Sequence, residues 1–238
     1  FKINIPCKGI IKKEFMNETI EYIGKYYKEL DVIYHYSLYH QYTENIKKSY
    51  LEFLNFISKC NFYKNNEILV VSGSNKKKNF DVLDLMSELK NEKNLKIKIG
   101  VAYNPYLKNH YNISGEKERL EKKISSKLTK SIWIQYGTDI KLLESEIKFL
   151  KKIIFNNNFD IKLFGSLFIP SRQFVARFKF RPWKGVYISD KFLNSPETFY
   201  RFTKDLINIY LKNNICPVIE TEFSSLEKLE KIYTLMNT

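Results

Sequence analysis

Ile68-Leu69-Val70-Val71, followed at once by Ser72-Gly73-Ser74, is the stretch that decides the fold class. Four apolar residues on consecutive positions predict a strand that is covered on both faces, as in a parallel sheet. Ser131-Ile132-Trp133-Ile134 repeats this pattern further along the chain. Both stretches predict strands that lead into polar, glycine-containing segments.

Short β-rich runs of this kind alternate with helical stretches along the whole chain of 238 residues. Apolar residues at steps of three and four predict helices over 42–57 and 140–154. Ser195-Pro196-Glu197 predicts the start of a helix that extends to 211, and a last helix is predicted over 226–235. The alternation is typical of a parallel α/β fold. The predicted strands are 2–6, 31–38, 68–73, 97–103, 131–136, 161–168, 186–188 and 217–222.

Seven or eight βα units in this length, with no linker and no break in composition, predict a single domain over residues 1–238. We expect a (β/α)8 TIM-type barrel in which one βα unit within the first 40 residues is irregular or missing. In such a barrel the chemistry lies at the carboxyl ends of the strands. The sequence contains no GxGxxG after the first strand and no GxxxxGK[ST], so Rossmann and P-loop sites have no support.

The composition is basic, with 40 Lys and Arg against 26 Asp and Glu and a net charge of +14. An excess of this size favours anionic partners such as phosphates or nucleic acid. However, most of it is lysine spread along the chain in doublets, which is typical of a solvated surface. No known RNA-binding module is present, so nucleic acid is disfavoured as a partner.

Three cysteines and three histidines form neither a metal-type spacing nor a disulfide framework. We therefore expect no metal site and a reducing, cytoplasmic compartment. No apolar run reaches the roughly 18 to 20 residues that cross a bilayer, so we expect no membrane partner. A homo-oligomer is left open.

Polar and aromatic side chains follow most of the predicted strands. Such a set suits a neutral or conjugated ligand with many hydrogen-bonding edges, for example a flavin or a pterin. The other interpretation is that strand ends are polar because loops begin there. The strand-end residues include His35, Ser72, Gly73, Ser74, Tyr103, Gln135, Ser166, Glu220 and Glu222.

The order of these segments over 31–223 resembles the methylenetetrahydrofolate reductase family. His35-Tyr36-Ser37 is similar to that family's HLT-type strand end, and 70–74 to its strand that ends in RGD. The remaining matches are 102–105 to an AxYP-type strand, 116–123 to an ExxxLxxK helix, 134–136 to a TQF-type strand end, 165–170 to a GIMPI segment, and 171–180 to the helix after it.

This resemblance implies a barrel that binds FAD, uses NAD(P)H as the electron donor and reduces 5,10-methylenetetrahydrofolate. It places His35, Ser72, Gly73, Ser74 and Tyr103 near the flavin ring. It implies that the ribityl or phosphate end lies near Glu116 and the basic residues Arg119, Lys122 and Lys123. Substrate contacts are implied for Asn4, Gln135 and Phe174. Gln135, which would touch both flavin and folate, is also implied as a catalytic residue.

The sequence departs from the family at two carboxylates. Asn4 stands where the family has the glutamate that acts as an acid toward folate, and Ser74 stands where it has the aspartate of RGD. We therefore expect low or absent turnover, with Glu222 as a replacement acid and Glu220 as its neighbour on the same strand face. Two alternatives stay open: an inactive reductase-like barrel that binds a ligand or a partner protein, and a basic RNA-associated protein.

Overall fold

The structure is a computed structural model that describes residues 2–6, 13–63, 67–73, 79–92, 96–168, 171–220, 230 and 233–234. Parallel strands and helices alternate along it, and the strands follow one another in the sheet in chain order. The strands are β1 (Lys2–Ile5), β2 (Asp31–Ser37), β3 (Glu67–Val71), β4 (Lys98–Tyr103), β5 (Thr129–Ile134), β6 (Lys162–Phe168) and β7 (Ile215–Glu220). The helices are α1 (Lys13–Tyr26), α2 (Ile46–Phe62), α3 (Val82–Leu89), α4 (Leu107–Tyr111), α5 (Glu116–Ser125), α6 (Ile140–Asn156), α7 (Arg172–Phe180), α8 (Asp190–Asn194) and α9 (Pro196–Lys212).

The α/β class predicted from the sequence is confirmed, and seven of the eight predicted strands are present. The eighth run, 186–188, forms only an isolated parallel bridge, between Tyr187 and Gly137. The helix predicted for 226–235 lies largely outside the described residues. No described helix has the length and apolar character needed to span a membrane.

Side chains at the helix starts cap the helices that the sequence predicted. Ser195 accepts a hydrogen bond from the backbone N–H of Thr198 at the start of α9, as expected. The helix predicted from residue 42 begins only at Ile46, because the Asn45 side chain accepts from the backbone N–H of Lys48 and ends the preceding turn.

The chain divides into two compact units. Unit 1 comprises 1–102 and 117–131, and unit 2 comprises 103–116 and 132–238. In unit 1 the β2 residues Val32, Tyr34 and Tyr36 are buried. The Tyr36 ring packs edge-on against Phe53 of α2, with centroids 5.0 Å apart. Truncation of a buried ring such as Phe53 to alanine costs about 3–5 kcal/mol, so this contact is a main source of stability.

In unit 2 helix α9 packs against β6 through Tyr210. A Cβ at Gly165 would lie 2.4 Å from the Tyr210 ring, so only glycine lets the ring approach this closely. The Tyr210 hydroxyl donates to the backbone carbonyl of Ser166 at 3.1 Å. Strands β6 and β7 pair in parallel from Leu163 opposite Ile215 to Phe168 opposite Glu220.

Candidate functional site

Packing on α2 fixes which side chains of β2 face away from the helices of unit 1. Tyr36 contacts Phe53 and Phe56 of α2, so it lies on the helix-covered face. Successive side chains of a strand point to opposite faces. His35 and Ser37 therefore lie on the other face, near the carboxyl end of β2.

Asn4 of β1 lies on this same face of unit 1. It pairs in register with Ile33, which is two residues before His35. The Asn4 side-chain oxygen and the Ser37 hydroxyl are both buried, and neither has a hydrogen-bond partner among the described residues. Ser37 is only 1% exposed. An unsatisfied buried polar group costs about 1–3 kcal/mol of stability. This face therefore offers hydrogen-bonding groups that the fold itself does not use.

The segment after β3 lies next to Ser37. Gly73 has φ +88°, a conformation that favours glycine, and a Cβ there would lie 2.6 Å from the Cβ of Tyr39 and 3.4 Å from the Ser37 hydroxyl oxygen. The Ser72 hydroxyl accepts from the backbone N–H of Val82 at 3.3 Å. Ser74, the third residue of the predicted set, lies outside the described residues.

The three cations assigned to the phosphate end of FAD have different environments. Lys122 is exposed, whereas Lys123 is buried and donates to the backbone carbonyl of Ala102 at 2.9 Å. Arg119 donates to the Asp81 carboxylate at 2.9 Å. Burial raises the pKa of Asp81, but Arg119 and the backbone N–H groups that cap α3 outweigh it and hold the pKa below its usual value.

A cavity of about 130 Å³ lies beside β2 in unit 1. It lies on the helix-covered face, with Tyr36, Gln41, Glu52, Asn55 and Lys59 in its lining. His35 also borders it, although strand alternation directs the His35 side chain to the opposite face. The lining side chains include amides, the Glu52 carboxylate and the Lys59 ammonium group, which donate and accept hydrogen bonds. The cavity therefore suits a small polar group or several water molecules. Of the predicted site residues that the structure describes, only His35 borders this cavity.

In unit 2 three polar strand-end side chains form hydrogen bonds within the unit. The Tyr103 hydroxyl donates to the Glu146 carboxylate of α6, which directs this side chain toward a helix. The Gln135 side-chain oxygen accepts from the backbone N–H of Tyr136 at 2.8 Å. The Ser166 hydroxyl donates to the Glu220 carboxylate at 2.7 Å.

Gln135, Ser166 and Glu220 share one face of unit 2. Trp133 stacks on Phe164 with ring centroids 4.4 Å apart, so these two side chains lie on one face. Gln135 comes two residues after Trp133, and Ser166 two residues after Phe164, so both lie on that face as well. The register of β6 and β7 puts Glu220 on the same face. The sequence singled out Glu222 as the replacement acid, but Glu222 lies outside the described residues. The carboxylate that the structure describes on this strand is Glu220. In the sequence, its i, i+2 spacing from Glu222 indicated that the two share a strand face.

Phe174 belongs to an aromatic cluster in unit 2. Its ring stacks on Phe168 at 5.2 Å and meets Trp183 edge-on at 5.5 Å. The Tyr136 ring joins this cluster through contacts with Phe168 and Phe202. Its hydroxyl is buried and has no hydrogen-bond partner in the described part of the chain. Phe174 thus has neighbours on several sides within its own unit.

The sequence matches no protein-family model and no curated protein at a significant level. Among the described residues, His, Cys, Asp and Glu side chains form no group of three or more that could hold a metal ion.

Proposed function

We propose that this chain is a methylenetetrahydrofolate reductase-like flavoprotein, built as a single TIM-type barrel that binds FAD. The proposal is supported by the order of the strand-end segments, by the parallel α/β architecture and by the polar face of unit 1. Bound FAD would supply hydride transfer from NAD(P)H to the methylene bridge of the folate.

The observation that carries the proposal is the pair of unsatisfied buried polar atoms, Asn4 Oδ1 and Ser37 Oγ. They lie on one face of β1 and β2, away from α2. A flavin ring presents several donors and acceptors along its edge, so it would satisfy such atoms without requiring a charge. Gly73, with its left-handed conformation, keeps the adjoining turn free of a side chain.

The basic residues of α5 fit the phosphate end of FAD. Arg119 uses one terminal nitrogen on Asp81 and keeps further N–H donors on a planar guanidinium. Its bond to Asp81 also holds the side chain in one orientation, which lowers the entropy cost of binding a phosphate. Lys122 is exposed and adds a second positive charge. Lys123 is buried, so it would attract the phosphate through its charge rather than by direct contact.

A second candidate function, ligand binding without turnover, is favoured by one residue. Asn4 supplies an amide on the ligand face where the family has a glutamate, and an amide is not a proton donor at neutral pH. A positioned general acid contributes about 100-fold to 10,000-fold in rate. We therefore expect reduction of methylenetetrahydrofolate to be slow or absent even when FAD binds, and vigorous wild-type turnover in a reductase assay would contradict this.

Binding of added FAD, followed by the absorption and fluorescence of the flavin, tests the proposal. We expect wild type to bind and Ser37→Ala to bind about 3-fold to 10-fold more weakly, since one neutral hydrogen bond is lost. Ser58→Ala removes a hydroxyl from the exposed side of α2 and serves as the matched control. Failure of wild type to bind FAD, or equal affinities of all three proteins, would contradict the proposed site.

A further inference from the structure

The segment between β6 and α8, residues 171–189 of unit 2, carries charge of one sign only. It holds five cations and no Asp or Glu. All five cationic side chains are exposed. They are Arg172, Arg177, Lys179, Arg181 and Lys184. We call this stretch the basic excursion.

The basic excursion also presents aromatic rings, and these divide into two sets. Phe174 and Phe178 turn inward and pack with Trp183 in the aromatic cluster. Phe180, at the carboxyl end of α7, is 92% exposed, and Trp183 keeps 39% of its surface exposed. Two accessible rings are therefore interleaved with cations on the surface.

Hydrogen bonds to two other segments of unit 2 hold the second half of the basic excursion in place. Asn104 Nδ2 donates to the carbonyl of Gly185 at 2.8 Å, and the Tyr111 hydroxyl donates to that of Val186 at 2.7 Å. The backbone N–H of Thr138 donates to the carbonyl of Tyr187 at 3.0 Å. A surface that is held in this way loses little conformational entropy when a ligand binds.

His110 adds a further contact at the same place. Its ring stacks on Tyr187 with centroids 3.5 Å apart, and its Nε2 lies 3.0 Å from an Asp139 carboxylate oxygen. Asp139 also caps α6 through its other oxygen, which accepts from the backbone N–H of Leu142. The basic excursion is thus tied to the start of α6.

We propose that the basic excursion binds single-stranded nucleic acid without reading its sequence. Such binding combines cations that follow the phosphate backbone with aromatic rings on which bases stack. Phe180 and Trp183 supply the ring faces, and the five cations supply the charge. The interaction goes beyond the proposed flavin chemistry and does not depend on it.

An anionic membrane is the other polyanion that a cationic surface could meet, and the exposed apolar area argues against it. Phe174 and Phe178 are turned inward, so only Phe180 protrudes fully. Stable attachment to a membrane takes more apolar anchoring than one ring provides. Base stacking needs only one accessible ring for each base.

Fluorescence anisotropy with a labelled mixed-sequence RNA of about 12 nucleotides, a length within the range of single-strand binding sites, tests the proposal. We expect Phe180→Ala to weaken binding roughly 5-fold to 100-fold through loss of base stacking. Arg181→Ala should lower the slope of log K against log salt by about 0.7 from a wild-type value of at most about 3.5 for five cations.

Two matched variants of unit 2 control for general effects. Phe155→Ala removes another highly exposed ring, at the end of α6, and Arg201→Ala removes an exposed cation of α9. Both should bind RNA like wild type. The proposal is overturned if wild type fails to bind RNA at low salt or if Phe180→Ala behaves like Phe155→Ala. Binding that depends on Phe180 for anionic phosphatidylserine vesicles, but not for RNA, would also overturn it.

Discussion

The two units carry similar polar side chains near the carboxyl ends of their strands but use them differently. In unit 2, Gln135 bonds the backbone, Ser166 bonds Glu220, and Tyr103 bonds Glu146. In unit 1, the Asn4 oxygen and the Ser37 hydroxyl are buried with no partner among the residues described. Unit 2 thus uses the side chains of Gln135, Ser166 and Tyr103 within its own fold, whereas these two groups of unit 1 remain available to a ligand.

The difference shows why a polar strand end is not by itself a binding site. A hydrogen-bonded hydroxyl contributes about 0.5–1.5 kcal/mol to stability, but a buried hydroxyl without a partner destabilises the fold. Each unit also contains a tyrosine hydroxyl of the second kind, Tyr34 in unit 1 and Tyr136 in unit 2. The same substitution, made once at a partnered hydroxyl and once at an unpartnered one, therefore measures this difference in stability.

The largest expected effect is that of Tyr103→Phe, which removes a donor from the buried Glu146 carboxylate. Hydrogen bonds to charged groups contribute about 1.5–3 kcal/mol, so we expect the free energy of unfolding to fall by about 2 kcal/mol. Urea denaturation followed by circular dichroism measures this loss.

Tyr136→Phe is the matched control, because its hydroxyl has no partner in the described structure. We expect its stability to equal or exceed that of wild type, since an unsatisfied group is removed. Equal losses in the two variants would show that the hydroxyl of Tyr136 has a hydrogen-bond partner and that the two hydroxyls do not differ.

The next prediction compares the same substitution in the two units. Ser166→Ala should lower the free energy of unfolding by about 1 kcal/mol, because Glu220 loses a donor. Ser37→Ala should leave stability unchanged or raise it slightly. The urea midpoint, measured without ligand, should therefore fall in Ser166→Ala and stay level or rise in Ser37→Ala. A clear loss in Ser37→Ala would show that the Ser37 hydroxyl has a partner in the fold.

Much of the fold could be predicted from the sequence, because buried parallel strands produce consecutive apolar runs that stand out from helical periodicity. The boundaries were less accurate where polar residues take part in a strand. β3 begins at Glu67, one residue before the apolar run, because its carboxylate is buried and accepts from the Ser131 hydroxyl at 3.1 Å. A charged residue at a strand end gives no local sign that it will be buried.

The candidate site was less predictable, because its partners are distant in the sequence. Nothing near Arg119 indicates that it bonds Asp81, 38 positions away, or that Lys123 bonds the carbonyl of Ala102. Tyr103 ends a strand that is apolar on both faces, so periodicity could not tell which face it occupies. Its bond to Glu146 gives the answer.

The smallest expected effect concerns the charged groups of unit 1, which, unlike Asn4 and Ser37, have partners in the fold. Arg119 and the α3 backbone hold the pKa of Asp81 below its usual value despite burial. The ionised carboxyl therefore adds stability at every pH above its unfolded pKa of about 3.9, and that stability is lost as pH falls through the lower, folded pKa. Because Arg119 is partly exposed and solvent screens the pair, we expect this contribution to stability to be less than about 1 kcal/mol.

Urea midpoints from about pH 5 to about pH 3 should fall less steeply in Arg119→Gln than in wild type. Arg201→Gln, which breaks an exposed pair with Glu197, should match wild type, and a flatter profile in that variant as well would mean that the pH dependence does not arise at Asp81.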